Sequence, residues 1–189
     1  MRLLRAIASE LSDDALWVAA VLAGDAGAFR VLFDRHAAGV RRFLRDLTHD
    51  EAYADEATQE TFVRAHARLG SLRDDQRLRP WLLGIARRVC LEETRRRRRP
   101  REVLDEIVDP APSPERELLD AEQVQWFRVA LGRLSAERRG VLLLQLDHGL
   151  SYDEIASVMG MSPAQVRNEL HRGRQELRAH LAEYFKEAP

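Results

Sequence analysis

The sequence predicts an all-α protein: two small helical domains joined by a flexible, acidic, proline-containing linker, the second domain carrying a helix-turn-helix. Three observations predict it. Apolar residues recur at spacings of three and four along most of the chain, with no alternating stretch of useful length. Pro100, Pro110, Pro112 and Pro114 crowd an acidic stretch that no continuous helix can cross. Two serine-led capping boxes bracket a glycine near the C-terminal end.

Taken in order, Leu16, Ala19, Ala20 and Leu22 predict one face of a first helix, broken at Gly24-Asp25. Phe29, Leu32, Phe33, His36, Val40, Phe43, Leu44 and Leu47 then recur at helical spacing. A third helix runs from about Glu51 to Leu69, with Ala54, Ala57, Thr61, Val63 and Ala65 at core-compatible positions. A short loop, Gly70 to Arg79, holds Asp74-Asp75. Pro80 then stands where a helix begins, and Trp81, Leu82, Ile85, Val89 and Cys90 form its apolar stripe. That helix ends in Arg95 to Arg99 and Pro100. Residues 1–99 form the expected first domain, 100–114 the linker and 115–189 the second domain. In the latter, Leu118, Leu119, Val124, Phe127, Leu131 and Leu134 give one helix, and Val141, Leu142, Leu144 and Leu146 another.

Composition bounds the function. With 45% hydrophobic and 32% charged residues, the 189-residue chain is foldable, and at 6% aromatics its core is mostly Leu, Val, Ala and Ile. The net charge of −1 excludes a uniformly basic nucleic-acid binder, but the charge is unevenly spread. Residues 1–101 hold 20 Arg against 15 acids, 102–124 one Arg against eight acids, and 125–189 nine cations against eight acids. Of the 30 cations 29 are arginine, a bias that suits phosphate and base contacts and that a GC-rich genome also produces. The lone cysteine, Cys90, implies no disulfide framework and sits on an apolar stripe as an inert core residue. The apolar run Ala15 to Gly24 is too short to span a bilayer and the N-terminus lacks a signal-peptide layout, so a cytoplasmic location without membrane contact is expected.

The segment Leu150 to Val166 reads as helix-turn-helix. Ser151 and Glu154 make a capping box that starts one helix, with Ile155, Ala156 and Met159 facing inward. Gly160 ends it, being free to take positive φ. Ser162 caps the next helix, with Pro163 at its first position and Gln165 completing a second box. Val166, Leu170, Leu177 and Leu181 form its buried face, and Arg167, Asn168, Glu169, His171, Arg172, Arg174 and Arg178 its outer one. Such a pair sets its second helix in the major groove, N-terminal residues on base edges and later arginines on phosphates. An ordinary helical hairpin is the bland alternative. In the first domain, Arg87, Arg88 and the run from Arg95 form a basic helix end that complements the helix dipole as readily as it meets phosphate. Asp55, Glu56, Gln59 and Glu60 form an exposed acidic face.

With these motifs in place, the sequence resembles the extracytoplasmic-function (ECF) group of bacterial RNA polymerase sigma factors, in order and over nearly the whole chain. Gly24-Asp25, Ala28-Phe29, Leu32-Phe33 and Arg35-His36 are similar to the opening of that family's first conserved domain. Asp55 to Phe62 looks like the helix that docks on the clamp helices of the polymerase β′ subunit. The resemblance implies core-polymerase contacts at Asp55, Glu56, Gln59, Glu60 and Phe62. Arg79-Pro80-Trp81-Leu82 through Arg96 looks like the helix that reads and melts the −10 element, implying Arg77, Arg79, Trp81, Arg87, Arg88, Glu92, Arg95 and Arg96 as DNA contacts, with the preceding loop holding a flipped base. Leu134 to Leu177 is similar to the −35-reading domain, implying Ser162, Gln165, Arg167, Asn168, Glu169, His171, Arg172 and Arg174. Here Arg88 replaces the usual Asn, Glu92 the usual Asp, and Ser135 the proline that commonly follows the equivalent of Leu134. Glu169 stands where arginine is common, which predicts an unusual −35 preference through a carboxylate accepting from cytosine N4.

The expected function is therefore a sigma factor that binds core polymerase through its β′ and β subunits, directs it to promoter DNA and helps melt the −10 region. An anti-sigma factor is an expected further partner. The rival is a helix-turn-helix regulator acting without core polymerase, which has no need of the acidic docking helix. An enzyme is disfavoured: the six histidines and Cys90 show no metal-ligand spacing on one helix, and no phosphate loop or nucleophile elbow occurs. No catalytic residue, metal or cofactor is expected. The acidic linker fits a basic polymerase channel and equally a soluble tether.

Overall fold

The computed structural model describes residues 13–73, 77–97 and 126–187, and every described element is helical. The chain divides into two compact units, residues 1–45 with 51–94, and residues 46–50 with 95–189. The predicted linker 100–114, the acidic stretch 102–124, the Asp74-Asp75 pair and Leu118, Leu119 and Val124 lie outside the described residues.

The first unit holds α1 (Asp13–Leu22), α3 (Glu51–Arg68) and all but the last three residues of α2 (Ala28–Thr48) and of α4 (Leu78–Arg97), with a 3₁₀ turn at Leu69–Ser71 after α3. The predicted face of α1 is corrected: Ala15 and Val18 are buried, whereas Leu16 and Leu22 are exposed. Beyond its two leading aspartates α1 is apolar all round, so periodicity selects no face. Its azimuth is set instead by Asp14, whose carboxylate accepts from Arg35 Nη1 at 3.1 Å and pairs with His36 Nε2 at 2.9 Å. Gly24, at φ 94°, turns the chain, and Asp25 Oδ1 accepts from Gly27 N at 2.8 Å and Ala28 N at 3.3 Å to start α2.

Leu32, Val40, Phe43 and Leu44 of α2 and Ala54, Ala57, Phe62 and Ala65 of α3 are buried. The two buried threonines of α3 need no outside partner. Thr58 and Thr61 hydroxyls donate to the carbonyls of Ala54 and Ala57, each at 2.6 Å. Phe62 stands edge-on to Phe33, centroids 4.8 Å apart, and to Phe29 at 6.3 Å. Val63, expected at a core-compatible position, is 65% exposed. The inward positions recur as 54, 57–58, 61–62 and 65, and Val63 falls on the opposite side. Helix α4 begins two residues earlier than expected. Pro80 is tolerated in its first turn, where an N–H has no intrahelical acceptor. Leu78, Leu82, Leu83, Ile85, Ala86, Val89 and Cys90 are its buried stripe.

In the second unit, α5 covers 126–132, α6 Ala136–Leu146, α7 Tyr152–Met159 and α8 Pro163–Glu187. Ser135, standing where proline was the family expectation, caps α6 by accepting from Arg138 N. Val141 to Leu144 are buried, whereas Leu146, expected on the same stripe, is exposed. Gly173 of α8 lies against α6: a Cβ there would stand 3.0 Å from Leu142 Cδ1. The glycine lets the two backbones approach.

Candidate nucleic-acid and polymerase interfaces

Both ends of the α7–α8 turn form as the residues dictate. Ser151 Oγ accepts from Glu154 N at 3.3 Å while the Glu154 carboxylate accepts from Ser151 N at 2.8 Å. Gly160 closes α7 in the left-handed region, at φ 66°. Ser162 N donates to Gln165 Oε1 at 2.8 Å, and Gln165 N donates to Ser162 Oγ at 3.2 Å. These two side chains therefore hold the start of α8. Ile155, Ala156 and Met159 of α7 and Val166, Leu170 and Leu177 of α8 are buried. Their packing fixes the rotation of α8, and it leaves Arg167, Asn168, His171 and Arg172 exposed together near its N-terminal end. Arg174 is also exposed, with Nη2 donating to Gln145 Oε1 of α6 at 2.5 Å.

Glu169 departs from this face. Its side chain is only 20% exposed and accepts from Arg138 Nε of α6 at 2.9 Å; Arg172 lies at 3.6 Å. Arg138 also donates to Glu176 at 2.5 Å, and the two carboxylates raise its pKa above the usual guanidinium value. The expectation that Glu169 reads cytosine is corrected. Position 169 is three residues after buried Val166 and four before buried Gly173 and turns toward α6, so its carboxylate is committed within the unit. Asn168 and Arg172 are the polar groups left flanking it on the outer side.

In the first unit, Glu56 and Gln59 are exposed on α3, with Glu60 half-exposed beside them. Asp55 is on the same helix but engaged: Arg41 Nε of α2 donates to it at 2.5 Å and Arg41 Nη2 to Glu51 at 2.7 Å. That guanidinium holds the Asp55 carboxyl below the usual carboxylate range. Phe62 is corrected: at 3% exposure its ring belongs to the α2–α3 core and offers no docking surface. In its place Val63, which sequence spacing assigned to the core, stands exposed one turn after Gln59 and Glu60. On α4, Arg88, Arg95 and Arg96 are exposed, as are Arg77 and Arg79 at its start, while Trp81 and Arg87 are half-buried. Glu92 is exposed but paired, accepting from Arg64 Nη1 of α3 at 2.6 Å. Arg64 also bonds Glu60 at 2.6 Å. Neither Arg64 nor Arg138 was marked by the sequence, where each is one arginine among many.

One unit thus presents an acidic helix face beside a basic helix, and the other a capped, glycine-turned helix pair. That combination defines a two-module helical DNA-binding protein. The family comparisons give the same division: residues 32–100 match the model for sigma-70 region 2 and residues 125–177 that for sigma-70, region 4. The chain is 34% identical over 171 residues to the ECF RNA polymerase sigma factor SigL of Mycobacterium tuberculosis, covering 88% of this chain and 96% of SigL. It is 36% identical over 166 residues to SigE of Mycolicibacterium smegmatis, covering 82% of this chain but only 62% of that longer relative. Among solved structures, CnrH bound to the cytosolic domain of CnrY superposes with a TM-score of 0.69 at 26% identity, covering 91% of this chain and 99% of CnrH. The chain belongs to the ECF group of RNA polymerase sigma factors, and so directs RNA polymerase to promoters. A regulator acting without core polymerase is not favoured, because the region 2 module accounts for the acidic helix that such a protein would not need.

Proposed function

We propose that the first domain, 1–99, docks on core polymerase and opens the −10 element, and that the second, 115–189, reads the −35 element, with 100–114 as the tether. On α3, Glu56 and Gln59 carry the docking on the β′ clamp, with Glu60 and Asp55 reached only by displacing Arg64 or Arg41. Arg77, Arg79, Arg87, Arg88, Arg95 and Arg96 contact DNA along α4, and Trp81 lines the approach to the melted strand. On α8, Arg167, Asn168, His171 and Arg172 reach base edges, Arg174 a phosphate, and Ser162 and Gln165 position the helix start. The observation that carries this reading is the exposed cluster of Arg167, Asn168, His171 and Arg172 on a helix whose opposite face is locked in the core.

No covalent chemistry is required of the chain: binding energy is spent on positioning and strand separation, each good base contact contributing about 1–3 kcal/mol. We assign it no catalytic residue and a cytoplasmic site of action. No described helix is long and apolar enough to cross a membrane. CnrH was solved with the cytosolic domain of CnrY, which supports an anti-sigma partner for this chain as well. Run-off transcription with core polymerase on a randomised promoter library tests the whole reading. It should yield two enriched elements, and Glu56→Arg with Gln59→Arg should abolish transcription and co-elution with core. Enrichment of no upstream element, or co-elution unchanged by both substitutions, overturns it.

A further inference from the structure

Glu92 is a carboxylate in the middle of a basic helix. Arg88 precedes it by four residues and Arg95 follows by three, the spacings at which helix side chains pair. Left to itself, Glu92 would capture one of them. In the structure it does neither: its Oε2 accepts from Arg64 Nη1 on the neighbouring helix at 2.6 Å. Arg88 and Arg95 form no ion pair among the described residues and stand exposed. Arg64 is held for this task. Its side chain is 28% exposed, and its Nε is anchored one turn back by Glu60 at 2.6 Å. Both carboxylates raise its pKa, so it stays charged at any working pH.

We infer that Arg64 is a positioning residue for promoter opening: by occupying Glu92 from α3, it keeps Arg88 and Arg95 of α4 available to the DNA backbone. The inference rests on the reading of α4 as the −10 helix. Removing Arg64 leaves Glu92 facing its own helix, where pairing with Arg88 or Arg95 withdraws one cation from phosphate and adds a repulsive charge.

The test uses holoenzyme assembled from core polymerase and the full chain, with promoter affinity measured across a salt series. Arg64→Gln should weaken promoter binding about tenfold and flatten the log–log salt slope by about 0.7–0.9, the contribution of one phosphate contact. Adding Glu92→Gln to Arg64→Gln should restore both, which a merely structural Arg64 would not allow. Glu92→Gln alone, which does not depend on Arg64→Gln folding, should bind at least as tightly as the unsubstituted protein. Failure of the double substitution to restore affinity, or a several-fold loss in Glu92→Gln alone, overturns the inference. So does an unaffected Arg64→Gln when Arg88→Ala and Arg95→Ala do lose affinity. If those two alanine variants lose nothing, the −10 reading of α4 itself fails and the inference falls with it.

Discussion

Replacing Gly173 by alanine tests how closely α8 must sit on α6. The added Cβ would lie 3.0 Å from Leu142 Cδ1 and 3.3 Å from Leu142 Cγ, where ordinary contact begins at 3.4 Å. Leu142 is 0% exposed and cannot swing into solvent. Either the helices part by a few tenths of an ångström or Leu142 leaves its rotamer, an overpacking cost of about 1–3 kcal/mol. Against this, alanine in a helix interior gains about 1 kcal/mol over glycine. The net expectation is a loss of about 1 kcal/mol, seen as a fall of roughly 4–8 °C in the melting of a domain this small. Urea titration of the full chain, followed by circular dichroism, measures it. A double-mutant cycle isolates the contact: Leu142→Ala alone should cost about 2–5 kcal/mol, and in the Gly173→Ala background about 2 kcal/mol less, the overpacking it relieves. If Gly173→Ala instead stabilises by its full propensity gain and the two changes add, the close approach is not a constraint and the reasoning fails.

Phe62→Ala should destabilise the first unit by about 3–5 kcal/mol, because it empties the space between Phe29 and Phe33; at a temperature where the variant is folded, its affinity for core polymerase should be unchanged. Gly160→Ala places a Cβ at φ 66° and should cost about 1–2 kcal/mol, with Gly160→Asn costing less, both read from thermal melts. Glu169→Gln should leave the bases selected at the upstream element unaltered in a randomised promoter library, since the carboxylate faces Arg138; a changed selection would return Glu169 to the base-reading set. The Asp55 carboxyl, depressed by Arg41, contributes stability that is present above its unfolded pKa and lost as pH falls through the lower folded value. Its contribution should therefore be constant from pH 7 to about 5 and vanish only below about 4, so carboxyl NMR of Asp55 should titrate below the range of an exposed aspartate, and Asp55→Asn should remove that acid-limb dependence.

The elements that the sequence made legible are those in which a single local rule decides. Ser151, Glu154, Gly160, Ser162 and Gln165 specify caps and a turn through bonds spanning three residues, so the helix pair could be read directly. The inward faces of α2 and α4 followed from spacing for the same reason. Where a segment is uniform, spacing carries nothing. The apolar α1 offered several equivalent faces, and the choice was made by Asp14 meeting Arg35 and His36, more than 20 residues away in sequence. On α3 the small residues pack so evenly that Val63 looked as buried as Ala65, and the large Phe62 looked available because it follows an acidic face. Those errors came from reading motif membership as exposure. Side-chain partners such as Arg64 and Arg138 were illegible, since among 29 arginines only tertiary proximity marks the ones that matter.

The two glutamates on the basic helices share one physical feature. Glu92 on α4 and Glu169 on α8 each sit within a helix otherwise presenting arginine, and each is turned to an arginine on the helix behind it, Arg64 and Arg138. A carboxylate beside DNA repels phosphate, so a basic helix that carries one must either have it read a base or draw it away. In both units it is drawn away, at 2.6 Å and 2.9 Å. The partners are themselves anchored by second acids, Glu60 and Glu176, which stops the arginine from following its glutamate outward. The charge that matters for promoter contact is therefore not the helix total but what remains after these inward pairs are subtracted. On that count α4 and α8 each present a more basic face than their sequences suggest, although the whole chain carries a net charge of −1.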